Sequence, residues 1–409
     1  MATNCEDSSG CGDSGASREE TVKFFVNSML DNIINALSSP DGLPSVTLKR
    51  RPTYSHCVLE PGTRALQADE HVQDTVVTYS WPGKTARDAW RFGIIMRILG
   101  CVSEAIQQKF VASKRDIYYL DPEYFGSQRI VDRYIEDIAY TIGVDRAALH
   151  VTAAAKGLTA GRYGIKFANG SLLNVGEHNE VVLVHYSCFQ RPNGCQGTLI
   201  PRTDDIIGFD LSGIRWVLVV EKEAVFHRLV TLNYHIFSSA GEGILITGKG
   251  YPDVSTRAFA RSILNKIMSS NIDNSVSPSM PSVPIHILVD GDPDGISIMS
   301  TYKYGSMART HENSRLNIRY LEWLGLKISV EQISGSPDCC FIPLSLRDRK
   351  KSQTMLLNNP ALSEEQEPEW RLELQRMLFL NTKAEIEILY DHSGGISRWL
   401  DRELKGKVF

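Results

Sequence analysis

Three continuous apolar runs in the C-terminal half set the tightest limit on what this chain can fold into. They are "IRWVLVVE", "EGILITGK" and "PIHILVDGD", and each leads into a stretch with helical spacing. A strand that is apolar at every position must be covered on both faces, whereas one wet face would impose strict alternation. Such strands alternating with helices imply an α/β architecture with a parallel, doubly wound sheet. Ligands of these sheets bind outside the carboxyl ends of the strands. There the chain places acids: Glu221 after the first run, and Asp290, Asp292 and Asp294 after the third.

Three carboxylates so close together repel, and a positive charge is expected beside them. Asp290 to Gly295 fits the opening of a calcium-binding EF-hand loop, D-x-[DN]-x-[DN]-G. That loop needs a glutamate at its twelfth position, here Thr301, and a helix before it, here the strand-like "IHILV". The match fails on both counts. A magnesium site fits better, because Mg²⁺ takes one or two protein carboxylates plus waters and substrate phosphates. Asp290 and Asp292 would face one ion, with Glu221 as a third acid from another strand end. The plainer alternative is that the acids cap the helices that follow. A further match, G-x-x-x-x-G-K at "GILITGK", has Gly250 where a phosphate loop needs Ser or Thr. Its central residues form an apolar strand rather than a turn, so the chain shows no nucleotide-hydrolysing motif.

The N-terminal half reads differently. After a polar stretch expected to be disordered over residues 1–17, "REETVKFFVNSMLDNIINALSS" sets Val22, Phe25, Met29, Ile33 and Leu37 on one helical stripe. The Pro/Gly/Ser segment "SSPDGLPS" ends that helix. "ARDAWRFGIIMRILGCVSEAIQQKF" is a helix with an expected interruption at Gly100, and "SQRIVDRYIEDIAYTIGV" is amphipathic through Ile130, Tyr134, Ile138 and Ile142. "ALHVTAA" and "GRYGIKFA" follow as short strands. Helices followed by a small strand pair outline a winged helix-turn-helix. Residues 269–284 form a low-complexity loop, and the segment after residue 368 reads as helical packing material.

At 409 residues the chain can hold two or three domains, and its formal net charge of −4 decides nothing about nucleic acid, since a local basic groove can sit in an acidic whole. The eight cysteines form no CxxC pair, and His185, Cys188 and Cys195 read as structural rather than metal-binding. Reduced thiols imply an intracellular compartment. The N-terminus lacks the apolar core of a secretory signal, and no apolar stretch reaches the ~18 residues of a spanning helix. A soluble protein that does not enter a membrane is expected.

A strand-end glutamate followed by a strand-end "DGDPDG" resembles the Toprim domain shared by topoisomerases and primases. "SKRDIYYLDPEYFGSQRIVDRYIEDIAYTIGV", "VTAAAKGLTAG", "VVEKEAVFHRL", "LITGKGYPDVSTR" and "VDGDPDGISIMSTYKYGS" are more specific. Together, over roughly residues 85–310, they resemble the eukaryotic meiotic double-strand-break transesterases, relatives of the A subunit of DNA topoisomerase VI in the type IIB class. The resemblance implies a disordered tail (1–17), an N-terminal helix and linker (18–84), a winged-helix domain (85–205) and a Toprim domain with C-terminal helices (206–409).

It assigns the nucleophile to the second tyrosine of "RDIYY", Tyr119, with Tyr118 as its neighbour. A phenol has a pKa near ~10, so reaching the phenolate at neutral pH costs about 4 kcal/mol unless local charge helps. Arg115, one helical turn earlier, is placed to help or to hold the scissile phosphate. The resemblance makes Glu221, Asp290 and Asp292 the Mg²⁺ acids and leaves Asp294 as an outer acid or a cap. It sets Lys156, Lys249 and Tyr251 along double-stranded DNA; Arg347, Arg349 and Lys350 read as a solvated face. It also implies a nuclear homodimer on DNA, each tyrosine acting with the other copy's acids, since paired nicks need two sites related by a two-fold axis. An ATPase similar to the B component of topoisomerase VI, and other meiotic break proteins, would be separate chains. The rival readings are a topoisomerase VI of ordinary chromosome maintenance (its A component), a non-catalytic DNA-binding scaffold, and a Toprim nuclease or primase.

Overall fold

The computed structural model describes residues 13–51, 56–152, 155–176, 197–269, 281–328 and 341–406. Two compact units emerge. The first comprises Met1–Cys57, Ala68–Ala154 and Met307–Glu312, and the second Val58–Gln67, Ala155–Ser306 and Asn313–Phe409.

The first unit is mainly helical. Helix α1 (Asp13–Ser38) lies before strand β1 (Ser45–Lys49); the chain then passes through β2 (Cys57–Leu59) and β3 (Leu66–Ala68), most of whose residues belong to the second unit, and returns to β4 (Val76–Ser80), which pairs antiparallel with β1. Helix α2 (Ala86–Gln107) starts at a capping box in which the Thr85 side chain accepts from the Asp88 amide and Asp88 accepts from the Thr85 amide. The helix runs through Gly100 without a break, correcting the expected interruption. Nothing lies within 4 Å of where a Gly100 side chain would begin, so this glycine answers to no packing demand. Strand β5 (Ala112–Ser113), helices α3 (Lys114–Tyr119), α4 (Pro122–Phe125) and α5 (Gln128–Ile142), and strand β6 (Val151–Thr152) complete the unit. Gly143, left-handed at φ 80°, ends α5.

The core of this unit gathers Ile94, Ile98 and Val102 of α2, Val131, Ile135 and Ile138 of α5, and Val22, Val26 and Met29 of α1. The α1 stripe therefore docks on its own unit as far as Ile33, while Leu37 at its end is exposed. Burying each large apolar side chain contributes roughly 1.5–3 kcal/mol, and that gain, more than helix propensity, fixes α2 and α5. Helix α1 begins at Asp13, so part of the tail expected to be disordered is helical; residues 1–12 lie outside the described residues.

In the second unit come strands β7 (Leu158–Ala160), β8 (Tyr163–Phe167), β9 (Leu172–Val175), β10 (Thr198–Leu199), β11 (Ile206–Asp210) and β12 (Trp216–Val220). Helices α6 (Glu223–Thr231) and α7 (Tyr234–Phe237), strand β13 (Gly243–Thr247), helix α8 (Val254–Ser269), strand β14 (Ile285–Leu288), helices α9 (Pro293–Lys303) and α10 (Asn313–Leu316) and strand β15 (Leu321–Gly325) follow. Strand β16 (Phe341–Pro343), helices α11 (Leu346–Asn358) and α12 (Pro368–Leu380), strand β17 (Thr382–Ala384) and helix α13 (Gly395–Lys405) close the chain.

The main sheet has the order β10-β7-β13-β12-β14-β15. Strands β13, β12, β14 and β15 run parallel, and β7 and β10 add an antiparallel edge. Val217 and Val219 enter one core with Phe259 of α8 and Met299 of α9, while Trp216, Leu218 and Val220 enter another with Phe226 of α6 and Trp399 of α13. Both faces are covered, as the unbroken apolar runs require. From β12 the chain moves outward to β13, then crosses back to β14 and on to β15. The reversal falls between β12 and β14, and such a switch point opens a crevice at the carboxyl ends of the strands.

Strand β7 pairs with β13, and β8 joins β9 and β11 in a three-stranded sheet. Of the two strands read as a wing before residue 205, "GRYGIKFA" thus supplies β8 of the second unit, whereas "ALHVTAA" supplies β6 of the first, paired with β5; the compact units part at Ala154 and Ala155. His185, Cys188, Cys195 and most of the 269–284 loop lie outside the described residues.

Candidate functional site

Tyr119 is the last residue of α3 and is 67% exposed, whereas Tyr118 packs against the first unit's core. Their ring centroids stand 5.4 Å apart. Alternation of burial along this one turn separates two residues that sequence alone leaves equivalent. Ser113 and Asp116 form a capping box that starts the helix immediately after β5, which pairs parallel with β6. Arg115 is exposed one turn before Tyr119, so both belong to the solvent side of α3.

The inner side of α3 is held by charge. Lys114 is buried, and its Nζ donates to Glu136 Oε1 of α5 at 2.7 Å. The same oxygen accepts from Arg309 Nη2 at 2.9 Å, with Arg146 Nε at 3.4 Å. Burial alone would raise the Glu136 pKa, but Arg309, Arg146 and Lys114 outweigh it and hold it at about 2. For Lys114 burial acts first and lowers the pKa, opposed by Glu136 and reinforced by the two arginines.

In the second unit, Glu221 follows β12 and Asp290 follows β14, the two strands that flank the switch point. The Asp290 amide donates to Glu221 Oε2 at 2.9 Å. Asp290 Oδ1 accepts from the Ile386 amide at 2.8 Å, and its Oδ2 lies 3.2 Å from Lys222 Nζ. Asp292 is the N-cap of α9, its Oδ1 accepting from the Gly295 amide at 2.7 Å. The capping alternative thus holds for one oxygen of Asp292. Burial raises the pKa of all three acids, and for each of them neighbouring carboxylates add to it.

Asp294 points to other partners. It pairs with Lys351 and accepts from the Tyr251 hydroxyl at 3.1 Å; burial acts most strongly and would raise its pKa, but the bond and charge of Lys351 and the Tyr251 hydroxyl together outweigh burial and lower the pKa. Tyr251 also accepts from Lys351 at 2.7 Å. Lys249, left-handed at φ 54°, sends its Nζ to Glu223 at 2.8 Å, and its carbonyl accepts from Lys156 Nζ at 3.1 Å. The Gly250 amide donates to the Glu221 carbonyl at 2.9 Å, tying that loop to the end of β12. Lys156, Lys249 and Tyr251 therefore occupy one neighbourhood of the second unit. Arg347 and Lys350 are exposed, while Arg349 donates to Asn381 at 2.7 Å.

The sequence reading missed four contributors, Lys222, Glu385, Ile386 and Glu387. Lys222, beside Glu221, reaches Glu387 at 2.6 Å and Glu385 at 3.4 Å as well as Asp290. Burial works against its charge, but these carboxylates more than restore it and raise its pKa. Glu385, Ile386 and Glu387 come from the segment read as helical packing material; α12 and α13 do pack on the cores, and the tail anchors Asp290 as well. The signal was there in alternating "EIEIL".

Glu221, Asp290 and Asp292 supply hard oxygen donors whose charge burial has left costly, which suits Mg²⁺. Among the described residues no three His, Cys, Asp or Glu side chains gather closely enough to hold an ion by themselves.

Residues 90–151 match the family described as type IIB DNA topoisomerase, and residues 216–398 match the Toprim domain shared by Spo11 and the topoisomerase 6 A subunit. Meiotic recombination protein SPO11-1 of Arabidopsis thaliana is 34% identical over 312 residues, 76% of each chain. Meiotic recombination protein SPO11 of Homo sapiens is 31% identical over 378 residues, 92% of this chain and 85% of that one. The chain belongs to the family of Spo11 and the topoisomerase 6 A subunit. Within this family the A subunit of DNA topoisomerase 6 from Arabidopsis thaliana is more distant, 26% identical over 382 residues, covering 93% of this chain and 79% of its own. The Toprim match begins at Trp216, the first residue of β12, and takes in Glu221, the aspartates and the tail that carries Ile386.

Proposed function

We propose that this chain is a nuclear, Mg²⁺-dependent DNA transesterase that breaks both strands and initiates meiotic recombination. The observation that carries this reading is the exposed Tyr119 hydroxyl on a helix whose other tyrosine is packed away. The phenolic oxygen of Tyr119 attacks a backbone phosphorus in line, forming a Tyr–O–P bond to the 5′ end. The P–O3′ bond breaks, and the 3′ oxygen leaves with the proton that the phenol gave up. An ester replaces an ester, so the step needs no ATP and runs in either direction. Arg115 holds the phosphate and favours the phenolate by its charge. Glu221, Asp290 and Asp292 hold Mg²⁺, which when bound offsets the charge on the phosphate and the leaving oxygen. Lys156, Lys249 and Tyr251 follow the DNA backbone, and the first unit serves as a winged-helix DNA reader.

Two nicks on opposite strands require two copies, the tyrosine of one working with the acids of the other. The partners are double-stranded DNA, a second copy of the chain, a separate topoisomerase VI B-like ATPase and further meiotic break proteins. The first relatives matched, at 34% and 31% identity, are meiotic recombination proteins, against 26% for the topoisomerase 6 A subunit of Arabidopsis thaliana, which favours this over general chromosome maintenance. Digesting DNA-linked protein and locating the residue that carries the nucleotide tests the reading. Tyr119 is expected; a nucleotide on another residue, or break formation undiminished in Tyr119→Phe, refutes it in favour of a scaffold.

A further inference from the structure

Lys222 is the cation nearest the acids, and the chain has given it two kinds of partner. Its Nζ lies 3.2 Å from Asp290 Oδ2 and at 2.6 Å and 3.4 Å from Glu387 and Glu385. The same tail segment supplies the Ile386 amide to Asp290 Oδ1 at 2.8 Å. One short stretch, Glu385 and the start of the 3-10 helix Ile386–Tyr390, therefore holds one oxygen of Asp290 through its backbone and, through its side chains, holds the lysine that sits on the other oxygen. Two like carboxylates beyond the site would be a poor place for acids unless they have a cation to share.

We infer that Lys222 is a positioning residue that competes with the divalent cation for Asp290 Oδ2, and that Glu385 and Glu387 are the seat to which it withdraws when the cation binds. The inference rests on reading Glu221, Asp290 and Asp292 as the Mg²⁺ acids. An ammonium and a divalent ion cannot share one carboxylate oxygen at contact distance, because their repulsion is steep in a partly buried site. With Glu387 already its nearer partner, Lys222 needs only a small side-chain movement to release Asp290. The arrangement keeps Asp290 aimed while making cation entry a competition.

The two halves of the device predict opposite effects. Removing the competitor, in Lys222→Met, tightens Mg²⁺ binding about tenfold; removing the seat, in the double variant Glu385→Gln/Glu387→Gln, leaves Lys222 on Asp290 and weakens it about tenfold. Binding is read on the full-length chain by calorimetric Mg²⁺ titration and by the Mg²⁺-dependent rise in melting temperature, neither of which needs cleavage. Glu221→Gln is the control and is expected to abolish both signals. A merely structural salt bridge would move both variants the same way, and that result, or no change in either, overturns the inference while leaving the acid site standing. Should Lys222→Met fail to fold, the double variant decides alone: unchanged or tighter binding refutes the proposal. Absence of any Mg²⁺ signal in the unmodified chain, or its persistence in Glu221→Gln, sinks the acid-site reading and the inference with it.

Discussion

A phenol is a weak nucleophile at neutral pH, so what matters at Tyr119 is access and the charge beside it. Its hydroxyl makes no demand on the core, and losing it should shift stability by less than about 0.5 kcal/mol. Tyr119→Phe is therefore expected to melt as the unmodified chain does in thermal scans while forming no covalent adduct with DNA. Tyr118→Phe should still give the adduct on Tyr119, as mass spectrometry of nuclease-trimmed peptides would show. Among the acids, neutralising Glu221 removes a donor whose charge is costly to bury. Glu221→Gln should erase the Mg²⁺-dependent rise in melting temperature without unfolding the protein. A variant that keeps the full Mg²⁺ response would remove Glu221 from the site.

The elements were largely legible because their apolar patterns are strong. The unbroken runs of β12, β13 and β14 and the stripe of α5 appear as read. What escaped is what pattern cannot carry. Gly100 has the look of a breaker, but it faces solvent within a helix whose opposite face is fully buried, and burial outweighs the roughly 1 kcal/mol a glycine costs. Strand β7 is only Leu158–Ala160 and was not read as a strand from the sequence, yet it pairs antiparallel with β13 far along the chain. The switch point needs strand order, which no local pattern states. Helix α3 shows the same limit: "KRDIYY" names the tyrosine but not the Lys114–Glu136 bond that seats the helix. Glu136→Gln would leave Lys114, Arg146 and Arg309 facing one another and should cost about 3–5 kcal/mol by denaturant unfolding. The depressed pKa of Glu136 sets the pH window. Its contribution is complete above the unfolded value of 4.5 and is lost as pH falls through about 2. The gap between variant and unmodified chain should thus be flat from about pH 6 to 8 and close on strong acidification.

For the molecule as a whole, the proposed division of labour between copies has a genetic signature. Tyr119→Phe and Glu221→Gln chains are each expected to be inactive alone. Mixed, they assemble pairs in which one tyrosine meets one complete set of acids, and single-strand nicks with a covalent 5′ adduct should appear on sequencing gels. If tyrosine and acids of the same chain worked together, the mixture would stay silent. The tail bears on the same point from another direction. Ile386 stands 96 positions beyond the aspartate its amide steadies. A message with a premature stop just before Ile386 would encode Tyr119, Glu221, Asp290 and Asp292 in full, yet leave Asp290 Oδ1 without the amide that holds it. Such a chain also loses Trp399 and Leu400, which cover one face of the main sheet, so even a late truncation is expected to act as a simple loss of folded protein.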